Sequence, residues 1–131
     1  MSYDIYVCRK DNDDTVYLKN LHNMGGGTQA VGGTDRAWLN VTYNYAPLFR
    51  ECFGEGGIHF IENQSVKETL PVLQKGIEYL ERTYPITEIP KHVDYWEPTP
   101  LNVKKALVDL VNIAKLTLTD YPDEDFVWRI H

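Results

Sequence analysis

The sequence predicts an α+β fold, a small antiparallel sheet built from an N-terminal hairpin and a C-terminal strand and packed against two or three helices. Three observations carry that prediction. Both ends of the chain alternate apolar and polar residues with period 2. Two internal stretches, Ser65 to Arg82 and Thr99 to Leu116, place apolar residues at helical spacing behind recognisable capping residues. The 131 residues, 43% hydrophobic and 24% charged, suit one globular unit, residues 1–131, with no internal repeat and no linker long enough to divide it.

The opening run "SYDIYVCR" alternates Tyr3, Ile5 and Val7 with Asp4, Tyr6 and Cys8, the pattern of a half-buried strand. The run "DTVYLKN" follows across the polar connector "KDNDD", whose Asn and Asp side chains suit tight turns, so a β-hairpin is expected. A glycine loop, Met24 to Thr34, leads to "AWLNVTYNY". As a strand, that run puts Leu39, Val41, Tyr43 and Tyr45 on one face and Trp38, Asn40, Thr42 and Asn44 on the other. A helix would instead align Trp38, Val41, Tyr45 and Phe49, but the β-branched and aromatic content and Pro47 favour the strand.

Pro47 then opens a short helix, "PLFRECF", which stops at Gly54. "GGIHFIEN" reads as a further short extended segment. Ser65 and Glu68 form a capping box ahead of Leu70, Leu73, Ile77 and Leu80. Pro71 predicts either a kink or a restart near Thr69, and Gly76 lowers helix propensity by about 1 kcal/mol relative to alanine, a hint of close packing. A proline-rich loop precedes Thr99 and Pro100, an N-cap and first-turn pair that opens a helix with Val103, Leu107, Leu110 and Ala114 as its apolar stripe. The tail "EDFVWRIH" adds a last strand, and pairing it beside the first strand would bring the termini together.

A net charge of -6 and a pI near 5.1 argue against a protein that coats duplex nucleic acid, which needs clustered Lys and Arg. No run approaches 20 apolar residues, so no membrane span is expected. The start, Met-Ser-Tyr-Asp-Ile-Tyr, lacks a basic segment followed by an apolar one, so no secretory signal and a cytoplasmic location are expected. Cys8 and Cys52 form no CxxC pair and read as reduced, partly buried thiols.

The glycine loop is the first candidate site. Gly26 and Gly27, beside Met24, Thr28 and Thr34, offer backbone N–H groups and hydroxyls that can form a concave nest for a phosphate. The loop matches neither the P-loop nor the dinucleotide fingerprint. The strand after it would add Trp38, Asn40, Thr42 and Asn44 on one face, a flat indole with two amides and a hydroxyl, which is what a nucleobase needs for stacking and edge recognition. The plain alternative is a loop that uses glycine for turns, with Trp38 filling core space and the asparagines capping turns.

His22 borders the loop as a candidate anion ligand or general base. Arg36, Arg50 and Arg129 are candidate phosphate partners. Trp96, with Tyr95, would close over the loop or plug a core edge. No catalytic set is recognisable, no His/Cys spacing supports a metal, and no cofactor is expected.

The stretch His22 to Phe49 resembles a motif of small phage and prophage proteins, H-x-M-x-G-G-T-x-A-V-G-G-T followed by W-L-N-[IV]-T-Y-N-Y. More distantly, the layout resembles short bacterial proteins with an opening Y-D-I strand, an N-x-T-Y-N segment and an L-P-x-L-x-K-G-[IL]-x-x-L-E helix. They continue with a Trp-containing loop, another helix and a terminal strand. The counterparts here are Tyr3 to Ile5, Asn40 to Asn44, Leu70 to Glu81, Trp96, Leu101 to Leu116 and Phe126 to Ile130. Gly25 stands where the motif often has a basic residue. The resemblance implies a phage-like setting and no specific activity.

Three functions follow as expectations. The first is a binder that sequesters a small nucleotide-derived signal, of cyclic nucleotide or cyclic ADP-ribose type, without catalysis. The second is a protein–protein inhibitor of a host factor, using Tyr43, Tyr45, Tyr95 and Trp96. The third is a small nucleotide hydrolase with His22 as base. A homo-oligomer that shares its pocket across a two-fold axis is compatible with the first.

Overall fold

The computed structural model describes residues 2–22, 33–85, 94 and 96–131. Its elements are β1 (Ser2–Arg9), β2 (Tyr17–His22), β3 (Thr34–Arg36), β4 (Trp38–Thr42), α1 (Ala46–Phe53), α2 (Val66–Thr83), α3 (Pro100–Asp120) and β5 (Phe126–Ile130). β1 is the centre of a three-stranded antiparallel sheet of order β4-β1-β5, and β2 and β3 form a separate antiparallel pair. The class is the α+β fold that the sequence predicts. The first and last strands are direct neighbours, with Ile5 opposite Ile130 and Cys8 opposite Val127.

The partner of β1 differs from the expected hairpin. β1 lies against β4, in register from Ser2–Thr42 to Tyr6–Trp38, and meets the segment after the connector only at one Cys8–Thr15 bridge. The reason is a three-way backbone junction. Val7 N–H donates to Ala37 O, Ala37 N–H to Val16 O, and Val16 N–H to Val7 O, each at 2.9 Å. All three residues are buried. Ala37 separates β3 from β4, so one continuous stretch leaves β2 and joins β1 at this corner. The small Ala37 side chain lets the three backbones meet, and β2 with β3 becomes a hairpin arm leaving the sheet.

The inner face of the sheet is apolar. Ile5, Val7, Leu39, Val41, Phe126, Trp128 and Ile130 are all buried in one cluster with residues from the helices. Val103, Leu107, Leu110 and Ala114, the predicted stripe of α3, are in it too. α2 and α3 pack along each other. Gly76 sits where they meet α1, and a Cβ there would stand 2.8 Å from the Phe53 ring, so the glycine permits the close approach that its place in a helix suggested.

Two local expectations are corrected. Residues Gly57–Ile61 form a 3-10 helix rather than an extended segment, which turns Ile58 and Ile61 into the core. α2 runs unbroken through Pro71. The proline is the sixth residue of the helix, so the carbonyl it leaves unpaired belongs to Lys67 in the exposed first turn. Caps behave as read: Ser65 Oγ accepts from Glu68 N–H at 3.2 Å, and Thr99 Oγ1 accepts from Asn102 N–H at 3.2 Å.

Candidate functional site

The outer face of the sheet carries the polar half of the alternation, and its centre is Asp4. One carboxylate oxygen accepts from Trp38 Nε1 at 3.0 Å and from Asn40 Nδ2 at 2.9 Å, while Asn40 also donates to Ser2 Oγ at 2.8 Å. Trp38 and Asn40 therefore do share a face, as the strand reading expects. Their donors, however, already have acceptors within the protein. Asn44 does not join them. The strand ends at Thr42, whose hydroxyl accepts from Asn44 N–H and caps a 3-10 turn, Tyr43–Tyr45, and the Asn44 amide donates to Trp96 O at 3.0 Å. The turn also breaks the expected inner-face row: Tyr45 is buried whereas Tyr43 is exposed.

The hairpin arm brings four of the predicted residues together around Arg36. Arg36 N–H donates to Thr34 Oγ1 at 3.1 Å, and its carbonyl lies 2.6 Å from His22 Nε2. A carbonyl only accepts, so Nε2 carries a proton. His22 Nδ1 is buried without a hydrogen-bond partner among the described residues. Next to Thr34, the partner of His22, Gly33 has a φ of 86°, and a Cβ there would stand 2.9 Å from the His22 carbonyl oxygen, so only glycine fits at this step of the arm. The Arg36 guanidinium lies over the Trp38 indole, 5.1 Å from the ring centroid. Met24, Gly25, Gly26, Gly27 and Thr28 fall outside the described residues, as does Tyr95, so the predicted phosphate nest and the closing role of Tyr95 find no geometry here.

At the base of the arm, Arg36 faces an open hollow of about 630 Å3 lined also by Arg9, Asn12, Asp14, Thr15, Tyr17 and Tyr121. Arg9 extends over the Tyr121 and Phe126 rings, 5.4 and 5.6 Å from their centroids, and forms a bidentate pair with Glu124 at 2.7 and 3.2 Å. That pair holds the Glu124 carboxyl below the usual carboxylate range. Tyr121 OH donates to Tyr17 O at 2.6 Å, and the Asp120 carboxylate accepts from Lys19 N–H at 2.8 Å. The end of α3 thus occupies the outer edge of β2 and fixes the floor of the hollow. Tyr17 is 59% exposed.

Of the arginines that the sequence could not rank, Arg36 lines this hollow. Arg129 instead clamps the connector, donating to Asp13 at 2.9 Å and to Asn63 at 2.6 Å. Arg50 lies near the Tyr3 phenol, away from the hollow. Sequence reasoning missed Arg9, Asn12, Asp14, Thr15, Tyr17 and Tyr121. The connector "KDNDD" carried a signal in its density of side-chain acceptors, and it read as a turn alone. Among the described residues no group of three or more His, Cys, Asp or Glu side chains is placed to hold a metal ion, and no described helix is long and apolar enough to cross a membrane. No family model, curated protein or solved structure matches the chain.

Proposed function

We propose that the protein binds a small nucleotide-type ligand without catalysis, seated in the hollow between the connector, Tyr17, Arg36 and Tyr121. The observation that carries the reading is Arg36. Its backbone is pinned on both sides, its guanidinium is stacked on an indole, and it forms no ion pair among the described residues while facing a hollow of about 630 Å3. A guanidinium held in place in this way has less freedom to lose when it meets an anion. The volume falls inside the range of roughly 300–1,000 Å3 typical of small-molecule sites. The exposed Tyr17 ring supplies a stacking surface.

A hydrolase based on His22 has less support. Its Nε2 is committed to the Arg36 carbonyl, its Nδ1 is buried, and no carboxylate lies within ion-pair distance of it among the described residues. Binding without turnover, in the phage-like setting that the motif resemblance implies, would act by sequestering a host nucleotide signal. The second reading, a protein-directed inhibitor, has its own motive in the exposed Tyr43 and Trp96 side chains.

Isothermal titration against cyclic nucleotides and ADP-ribose isomers tests the first reading. At least one member is expected to bind, to be recovered chemically unchanged after denaturation, and to lose tenfold or more in affinity (about 1.4 kcal/mol) in Arg36→Ala. No heat change across the panel would overturn it. Trp96→Ala leaves nucleotide affinity intact if the hollow is the site.

A further inference from the structure

The hollow is not uniformly basic, and its charges set the charge of what it can hold. Three charged side chains line it, Arg9, Asp14 and Arg36. Arg9 is neutralised in place by the bidentate Glu124 pair. Among the described residues, Arg36 and the Asp14 carboxylate have no ion-pair partner. The Asp14 backbone is fixed by the Asn12 side chain, whose oxygen accepts from Asp14 N–H at 3.0 Å. Asp11, exposed on the same connector, adds its negative charge beside Arg9.

We infer that the ligand is a nucleotide with a single negative charge, a cyclic phosphodiester, whose base carries an amino group. The inference rests on the binding reading above and narrows it. One unpaired guanidinium neutralises one phosphate charge. A phosphomonoester carries about -1.5 to -2 at neutral pH, and a triphosphate carries more. The excess would face Asp14 with no counter-charge, and like-charge juxtaposition in a binding site is strongly unfavourable. The Asp14 carboxylate, ionised, only accepts hydrogen bonds. A ligand that covered it without offering a donor would leave it desolvated and unsatisfied. An exocyclic amine on a base stacked at Tyr17 supplies that donor. Arg36 and Asp14 thus read the two ends of one ligand, its phosphodiester and its base edge.

The test is titration of the full chain with four probes: 3′,5′-cyclic AMP, 3′,5′-cyclic IMP (the same ring system without the exocyclic amine), AMP and ATP. Cyclic AMP is expected to bind at least about tenfold tighter than each of the others. Arg36→Ala should weaken cyclic AMP about tenfold or more. Asp14→Asn, which supplies both a donor and an acceptor, should bring cyclic IMP to within about threefold of cyclic AMP and improve ATP. Both positions are exposed, so both variants are expected to melt like the parent. AMP or ATP binding as tightly as cyclic AMP, with the Arg36 dependence kept, would overturn the charge assignment and leave the hollow as the site. Equal affinity for cyclic AMP and cyclic IMP would overturn the role of Asp14. Silence from all four probes and from the wider nucleotide panel would remove the binding reading itself.

Discussion

On the inner face of the three-stranded sheet, Ile5, Leu39 and Trp128 are covered by helices. On the outer face, Tyr6, Cys8 and Val127 are just as buried but form a small separate cluster beside Trp38. No described helix contributes a side chain to this second cluster. Beside it lie Trp38, whose indole is tied to Asp4, and the connector, which Arg129 holds through Asp13 and which bridges back to Cys8 at Thr15. The two faces differ in what must fail for them to open. The inner face opens only if the helices leave, which is global unfolding. The outer face opens if one ion pair and a short connector let go, which is a local event. The hollow faced by Arg36 shares that connector, since Asn12 and Asp14 line it.

The largest expected contrast is between the two tryptophans. Trp128 is fully buried and donates from Nε1 to Thr69 Oγ1 at 2.8 Å. Thr69 in turn donates to Ser65 O at 2.8 Å, which ties β5 to the first turn of α2. Trp128→Ala should destabilise by about 3–5 kcal/mol, from cavity formation and loss of the bond that the Thr69 oxygen accepts. Trp38 is half-buried under Arg36, and Trp38→Ala should lose about 1–2 kcal/mol. Urea melts of the two variants give the comparison directly. Equal losses would mean that the outer cluster is as integral to folding as the helical layer.

A smaller effect is expected at Asp4. Asp4→Ala leaves the Trp38 indole N–H and the Asn40 amide without their common acceptor. The expected loss is about 1–3 kcal/mol, about half of it recovered in Asp4→Asn, which keeps one side-chain oxygen. Trp38 emission should shift to the red as its N–H turns to water. An unshifted spectrum in Asp4→Ala would mean that the indole is held by packing and the Arg36 stack alone.

How the sequence reads follows the same division. Period-2 and helical periodicities report which side chains face the core, so β4, α3, β5 and the capped start of α2 were legible, as was Gly76 as a point of close packing. Long-range pairing was not. Nothing local in "DTVYLKN" says that pairing with β1 will stop at Val16, whose carbonyl accepts from Ala37, because that choice is made by a junction of three distant backbones. At the site, His22 beside the glycine loop, the Thr34 hydroxyl, the Arg36 guanidinium and Trp38 on the polar face are each legible as candidates, and the structure gathers them. Asn44 was misplaced because the alternation gives no sign that Thr42 will cap a turn. Arg9 and Asp14 escaped because the hollow is made by tertiary contact among a turn, an arm and a helix end, each ordinary when read alone.

The finest test of the two faces uses the two thiols, one on each side. Burial pushes the Cys8 thiol up from its usual value, with Arg129 opposing and Asp13 and Asp14 adding to the rise. Burial and the neighbouring Glu51 carboxylate push Cys52 from 9.0 to about 11. Both raised values act in one direction. Each contributes stability that is present below the unfolded thiol value and is lost as pH rises through the folded one, so stability should fall between pH 9 and about 11. At pH 8 the shift of Cys52 lowers its thiolate fraction about a hundredfold relative to a free cysteine, with a matching fall in iodoacetamide labelling. Arg129→Ala then separates the faces. It removes a cation that lowers the Cys8 value, so charge alone would slow labelling of Cys8. It also frees the connector that covers Cys8, so exposure would hasten it. Labelling of Cys8 in Arg129→Ala that rises about tenfold or more while Cys52 stays constant therefore reports local opening of the outer face against the electrostatic trend. Parallel acceleration at both cysteines would show that the two faces open together, and the hollow would then be as firmly held as the core beneath it.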